Sequence, residues 1–268
     1  MRKYCRERNI KPGLAVIVVG DNPASQTYVN NKKKACDEVG FHSEVLHLSQ
    51  TSSTKDVVTA VENFCKREDI HGVMVQLPLP KHICTSDVIA AIEPSKDVDA
   101  LTPTNIGKVM IGDYDFAPCT PTGVIAILDD IGCKIEGSNC VVIGRSDIVG
   151  KPMAAMLTNR NATVTLCHSK TNNLADITKR ADIIICAVGK AGFLTADMIS
   201  SNAVVIDVGI NRTQEGKLVG DVCFSDVLNK AKAVTRVPGG VGVMTVTSLL
   251  ENTYKAALLA KNSRRKLC

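Results

Sequence analysis

The sequence predicts an α/β protein of two lobes, each built on parallel strands with helical crossovers. Short β-branched runs alternate with helical periods in two separate series, and strands that keep one direction need a helix to carry the chain back. A proline-bearing stretch divides the series, and an amphipathic helix closes the chain. Nothing repeats at a fixed period, so solenoids and propellers are excluded.

The first series opens with a strand over 13–19, preceded by only 12 residues. A helix over 25–39, the strand "SEVLHL" (43–48), a helix over 54–67 and the strand "GVMVQLP" (72–78) follow. The second series runs "NCVVIG" (139–144), a helix from Val149, "ATVTLC" (162–167), "ADIIICAVG" (181–189), "AVVIDVG" (203–209) and "AVTRVPGG" (233–240). Pro94, Pro103, Pro118 and Pro121 mark a hinge in the interval 94–121. On this reading 1–119 form the first lobe, completed by the C-terminal helix over 244–268, and 120–243 form the second.

Composition narrows the classes of function. Of 268 residues 45% are hydrophobic and 22% charged, the balance of a folded globular chain. The net charge of +5 is concentrated in Lys32–Lys34 and the tail "KNSRRKLC", with no basic stripe interleaved with aromatics, so no nucleic-acid partner is expected. No apolar run approaches the roughly 20 residues of a bilayer span, and no signal-peptide pattern stands at the start. The eleven cysteines are odd in number and never spaced C-x-x-C, which suits free thiols in the cytoplasm. Cys140, Cys167 and Cys186 fall in or at the ends of strand-like runs, where a thiol acts as a small hydrophobe. Five histidines form no H-E-x-x-H or Cys/His cluster, so no metal site is expected.

Lysine in a run normally faces water. Along the 25–39 helix, 100° per residue from Tyr28 gathers Val29, Ala35, Cys36 and Val39 in one apolar sector. Lys32 falls in the middle of that sector, whereas Lys33 and Lys34 fall outside it with Asp37 and Asn30. A lysine on an inward face either snorkels over apolar surface or serves as a general base, since partial burial disfavours the ammonium form.

The segment "VVIGRSDIVGKPMAAML" (141–157) reads as strand, glycine turn and helix, with the strand "ATVTLC" next. This order aims the free N–H groups of a helix N-terminus at an anion, as in the pyrophosphate seat of a Rossmann-like dinucleotide fold. The turn carries Gly144, Arg145, Ser146 and Gly150, with serine where the common G-x-G-x-x-G has its second glycine. The next strand ends Cys167, His168, Ser169, Lys170, without the carboxylate that reads the 2′-hydroxyl of NAD. Arg145 and Ser169 can hold a 2′-phosphate instead, which favours NADP.

Seven ordered stretches, "NPASQTYVNNK", "VQLPLP", "KDVDA", "GRSDIVGKP", "CHSKT", "VIDVGIN" and "VPGGVGVMT", resemble the methylenetetrahydrofolate dehydrogenase/cyclohydrolase family of one-carbon metabolism. The resemblance runs from about residue 11 to about residue 260. It implies an N-terminal α/β folate lobe, an NADP-binding Rossmann-like lobe, and a cleft across which hydride passes from methylenetetrahydrofolate to NADP. Hydrolysis of the methenyl product to 10-formyltetrahydrofolate follows. The resemblance makes Lys32 the base that activates water and Gln76 its hydrogen-bonding partner, with Val75 and Leu77 beside it at the substrate. It makes Asp99 the carboxylate gripping the pterin, with Asp97 of the same motif as the residue most easily mistaken for it. Tyr28 would stack on the aminobenzoyl ring, and Pro238, Gly239, Gly240, Val241 and Gly242 would line the cleft and touch the folate. Ile210 would meet the nicotinamide end through its backbone. The family further implies a cytoplasmic homodimer.

Three departures accompany the match. Ala100 stands where the family has glycine, Val243 where it has proline, and most of the family's first helix is absent. They keep two other readings open: a dehydrogenase without the hydrolase step, and a folate- or NADP-binding protein without turnover. Retention of Lys32, Gln76 and Asp99 favours the bifunctional enzyme.

Overall fold

Gly13–Val19 (β1) carries no polar side chain and is buried at every position, the pattern of a strand covered on both faces of a parallel sheet. The structure, a computed structural model, describes residues 1–267, with side chains other than those at 23–25, 27 and 264–267. The chain divides into two units. The first comprises Met1–Gly107, Tyr114–Ala117 and the chain from Ser248 onward; the second comprises Lys108–Asp113 and Pro118–Thr247.

In the first unit a short helix, Arg2–Glu7 (α1), precedes β1. Pro23–Val39 (α2) leads to His42–Leu48 (β2), and Thr54–Lys66 (α3) to Gly72–Val75 (β3). The sheet order is β2-β1-β3, all parallel, with Val16 opposite Val45 on one side and Met74 on the other. The start of α3 is fixed by a reciprocal cap: Ser53 Oγ accepts from Asp56 N at 3.2 Å while Ser53 N donates to Asp56 Oδ2 at 2.8 Å. Its Val57, Val61 and Phe64 pack with Ile17 and Val73 in one core. Thr85–Ala90 (α4) and Pro103–Ile111 (α5) follow.

In the second unit Cys119–Asp130 (α6) precedes Asn139–Ile143 (β4), then Gly150–Asn159 (α7), Thr163–Cys167 (β5), Leu174–Thr178 (α8), Ile183–Cys186 (β6) and Val204–Asp207 (β7). Two-residue strands Asn211–Arg212 (β8) and Leu218–Val219 (β9) form a small antiparallel pair. Phe224–Leu228 (α9), Ala233–Val234 (β10) and the long helix Val241–Leu267 (α10) complete the chain. The main sheet has the order β10-β7-β6-β4-β5, all parallel, so the chain reverses direction across the sheet beside β4. Open α/β sheets bind ligands at such a reversal, beyond the C-terminal strand ends.

The interval 94–121 holds α5 and the start of α6. Pro103 opens α5, Pro118 caps α6 and Pro121 sits in its first turn, where a missing N–H costs nothing. No helix among the described residues is long and apolar enough to cross a membrane.

Candidate active site

On α2, Val29, Lys32 and Cys36 are buried, whereas Lys33, Lys34, Asn30 and Asp37 are exposed. Lys32 is only 8% exposed, and its Nζ donates to Gln76 Oε1 at 2.9 Å. Gln76 immediately follows β3, and its backbone N–H donates to Ile17 O at 2.8 Å, continuing the ladder with β1. Its side-chain Nε2 donates to Leu77 O at 2.8 Å. A carbonyl oxygen can only accept, so the amide has one orientation, with Oε1 turned to the lysine. Val75 is buried and Leu77 half-buried on either side, and half-buried Tyr28 lies one helical turn before Lys32. Burial, and next Asp37, pushes the Cys36 thiol up to about 12, so this neighbour of the lysine stays protonated.

Beyond β3, the loop with the two aspartates runs alongside the same strand. Val73 bridges to Asp97, and a β-carbon at Gly72 would come within 2.7 Å of Val98 Cγ1. Asp97 is fully buried: Oδ1 accepts from Leu101 N at 3.1 Å, and Oδ2 from Thr102 N at 2.8 Å and Asn105 Nδ2 at 2.9 Å. Burial raises its carboxyl above the ordinary aspartate range, against these donors, which lower it. Asp99 is half-buried. Ala100, next to it, is buried with φ +54, a left-handed conformation costing a non-glycine residue about 1 kcal/mol.

In the second unit Gly144 follows β4 with φ +126, and a β-carbon there would lie 2.2 Å from Ala187 O. At Gly150, the first residue of α7, a β-carbon would lie 2.0 Å from Gly144 O. Only glycine lets the helix start this close to the strand end. Ser146 Oγ accepts from Val149 N at 3.2 Å and Gly150 N at 3.4 Å, which ties the turn to that helix. Ile143 pairs with Cys167 across β4 and β5, so exposed Arg145 and Ser169 each stand two residues beyond paired strand ends. An arginine and a hydroxyl at adjacent strand ends, with no carboxylate, fit a 2′-phosphate.

Two buried aspartates brace the ends of β6 and β7. Asp207 accepts from Gly209 N, Asp221 N and Val222 N, each at 2.9 Å. Asp221 accepts from Val188 N at 2.6 Å, Gly189 N at 2.8 Å and Asn211 Nδ2 at 2.9 Å. Burial raises the Asp207 carboxyl, and neighbouring Asp221 raises it further. Ile210, 44% exposed, projects from this braced turn, and its Cδ1 would lie 3.9 Å from a β-carbon on Gly242. Pro238–Gly242 thus belongs to the same unit as the nucleotide turn, whereas Tyr28, Lys32, Gln76 and Asp99 belong to the first. The bracing pair escapes sequence reasoning; its one signal is a carboxylate ending the otherwise apolar run "VVID".

A reversal in strand order and a glycine turn opening onto a helix in the second unit, with a first unit whose buried Lys32 amine bonds a glutamine at a strand end, together define a nicotinamide-linked α/β enzyme. The catalytic-domain model of the tetrahydrofolate dehydrogenase/cyclohydrolase family matches residues 1–99, and the family's NAD(P)-binding-domain model matches 118–261. The chain belongs to this family. It is 52% identical over 254 residues to the bifunctional protein FolD of Acetivibrio thermocellus, spanning 95% of this chain and 89% of that one. The bifunctional protein FolD of Streptococcus equi subsp. equi is 51% identical over 252 residues, 94% and 89% of the two chains. Among solved structures, the bifunctional FolD enzyme of Campylobacter jejuni superposes with TM-score 0.92 at 46% identity, covering 98% of this chain and 92% of that one. The Trypanosoma brucei dehydrogenase-cyclohydrolase, complexed with NADP and an inhibitor, gives 0.91 at 38% identity, covering 97% and 90%.

Proposed function

We propose that the chain catalyses both reactions of its family: NADP-dependent oxidation of 5,10-methylenetetrahydrofolate to 5,10-methenyltetrahydrofolate, then hydrolysis to 10-formyltetrahydrofolate. The observation that carries this reading is the buried Lys32 amine held at 2.9 Å by Gln76. A folate-binding protein has no need of a desolvated amine, whereas ring opening needs a group that takes a proton from water.

Bound in the second unit, NADP supplies the hydride acceptor. Lys32 takes the proton of the water that attacks the methenyl carbon, and Gln76 Oε1 fixes the position of the amine. Asp99 accepts hydrogen bonds from the pterin, Tyr28 stacks on the aminobenzoyl ring, and Val75 and Leu77 wall the strand end beside them. Pro238–Gly242 offers backbone that can approach the folate closely, and Ile210 offers backbone to the nicotinamide. Arg145 and Ser169 hold the 2′-phosphate.

Incubation with 5,10-methylenetetrahydrofolate and NADP is expected to yield NADPH and 10-formyltetrahydrofolate. Lasting accumulation of the methenyl absorbance would leave a dehydrogenase alone, and absence of NADPH would leave a binding protein. Arg145→Ala is expected to lower kcat/KM for NADP by about 10- to 100-fold, through the lost charge-assisted bonds, with NAD changed less than about threefold. Equal losses for both nucleotides would remove Arg145 from 2′-phosphate recognition.

The protein is further proposed to act as a cytoplasmic homodimer. Its free-thiol composition suits a reducing compartment. The edge strand β5 leaves Thr163, Thr165 and Leu166 exposed, a surface on which a second copy could pack. Light scattering is expected to give twice the chain mass of 28.6 kDa.

A further inference from the structure

We propose that Asp97 is a positioning residue for folate: together with Asn252 it holds the loop that presents Asp99. The inference rests on Asp99 as the pterin-binding carboxylate. Ala100 adopts a left-handed conformation that its side chain disfavours, and such a residue persists only where its surroundings over-determine it. The surroundings here are two clamps on opposite sides of Asp99. On one side the Asp97 carboxylate gathers Leu101 N, Thr102 N and Asn105 Nδ2. On the other, Asn252 of α10, 8% exposed, donates from Nδ2 to Val98 O at 2.8 Å and to Ala117 O at 3.0 Å. Neither clamp uses Asp99 itself, so its carboxylate is left for a ligand while the backbone on both sides of it is fixed.

Asp97→Asn tests the clamp with little change of volume. Three donors face two carboxylate oxygens, and an amide has only one, so at least one donor meets an NH2 group and the loop must shift. Isothermal titration with tetrahydrofolate is expected to show affinity weakened about tenfold or more, while NADP affinity changes less than about twofold. The thermodynamic cycle with Asp99→Ala isolates the route of the effect. If Asp97 acts through Asp99, the double variant binds tetrahydrofolate no more weakly than Asp99→Ala alone. Multiplying losses would overturn the inference, and so would an unchanged affinity in Asp97→Asn beside a weakened one in Asp99→Ala. If Asp99→Ala itself binds tetrahydrofolate normally, the assignment of Asp99 fails and the inference fails with it. Asn252→Ala reaches the same loop from the helix side and carries the same cycle should Asp97→Asn not fold.

Discussion

Lys32→Met is expected to lower hydrolysis of methenyltetrahydrofolate by about 10²- to 10⁴-fold, the range that a positioned general base contributes. Methionine keeps the length and apolar stem of the lysine and removes only the amine. Its effect on folding should be small, because a buried amine is costly to desolvate and a thioether is not. The variant loses the donor to Gln76 Oε1 at 2.9 Å, a bond worth about 1 kcal/mol net. Activity and stability are therefore expected to separate: the methenyl species accumulates while Tm stays within a few degrees. A variant that hydrolyses at the parent rate would show that the amine is not the base. A variant whose Tm falls in step with its activity would show that the lysine merely supports the helix.

The legibility of Lys32 has a simple cause. Helical angle is a local property, so counting residues from Tyr28 places Lys32 in the apolar sector without knowledge of what packs there. The buried runs of β4, β6 and β7 are equally local, as is the glycine turn after β4. Asn252 is different: its function in the fold lies in bonds to Val98 O, 154 residues away, and Ala117 O, 135 residues away. No periodicity reports such a pairing. Asp207 and Asp221 are unreadable for the same reason, since each becomes meaningful only when the other's loop is beside it. The β8–β9 pair is two residues per strand, too short for alternation to register. In the interval 94–121 proline has two meanings, and the reading as a break competes with its place in the first turns of α5 and α6.

Gly144→Ala is expected to destabilise the protein by about 3 kcal/mol and to weaken NADP binding at least about tenfold, two effects with one origin. The residue sits at φ +126, where an L side chain is strained by about 1–3 kcal/mol. Its β-carbon would also lie 2.2 Å from Ala187 O, a backbone atom that cannot swing aside, because Ala187 N donates to Ile143 O at 2.8 Å. Relief must come from the turn, and Gly150 leaves it no slack, since α7 already starts against Gly144 O. For a chain of this size the destabilisation corresponds to a fall in Tm of roughly 6–12 °C. Gly137→Ala separates the two causes: Gly137 also has positive φ, +75, but a β-carbon there meets nothing within 4 Å. That variant is expected to lose only about 1 kcal/mol and to bind NADP normally. Equal losses in the two variants would mean that the close approach of Ala187 has no part in shaping the nucleotide turn.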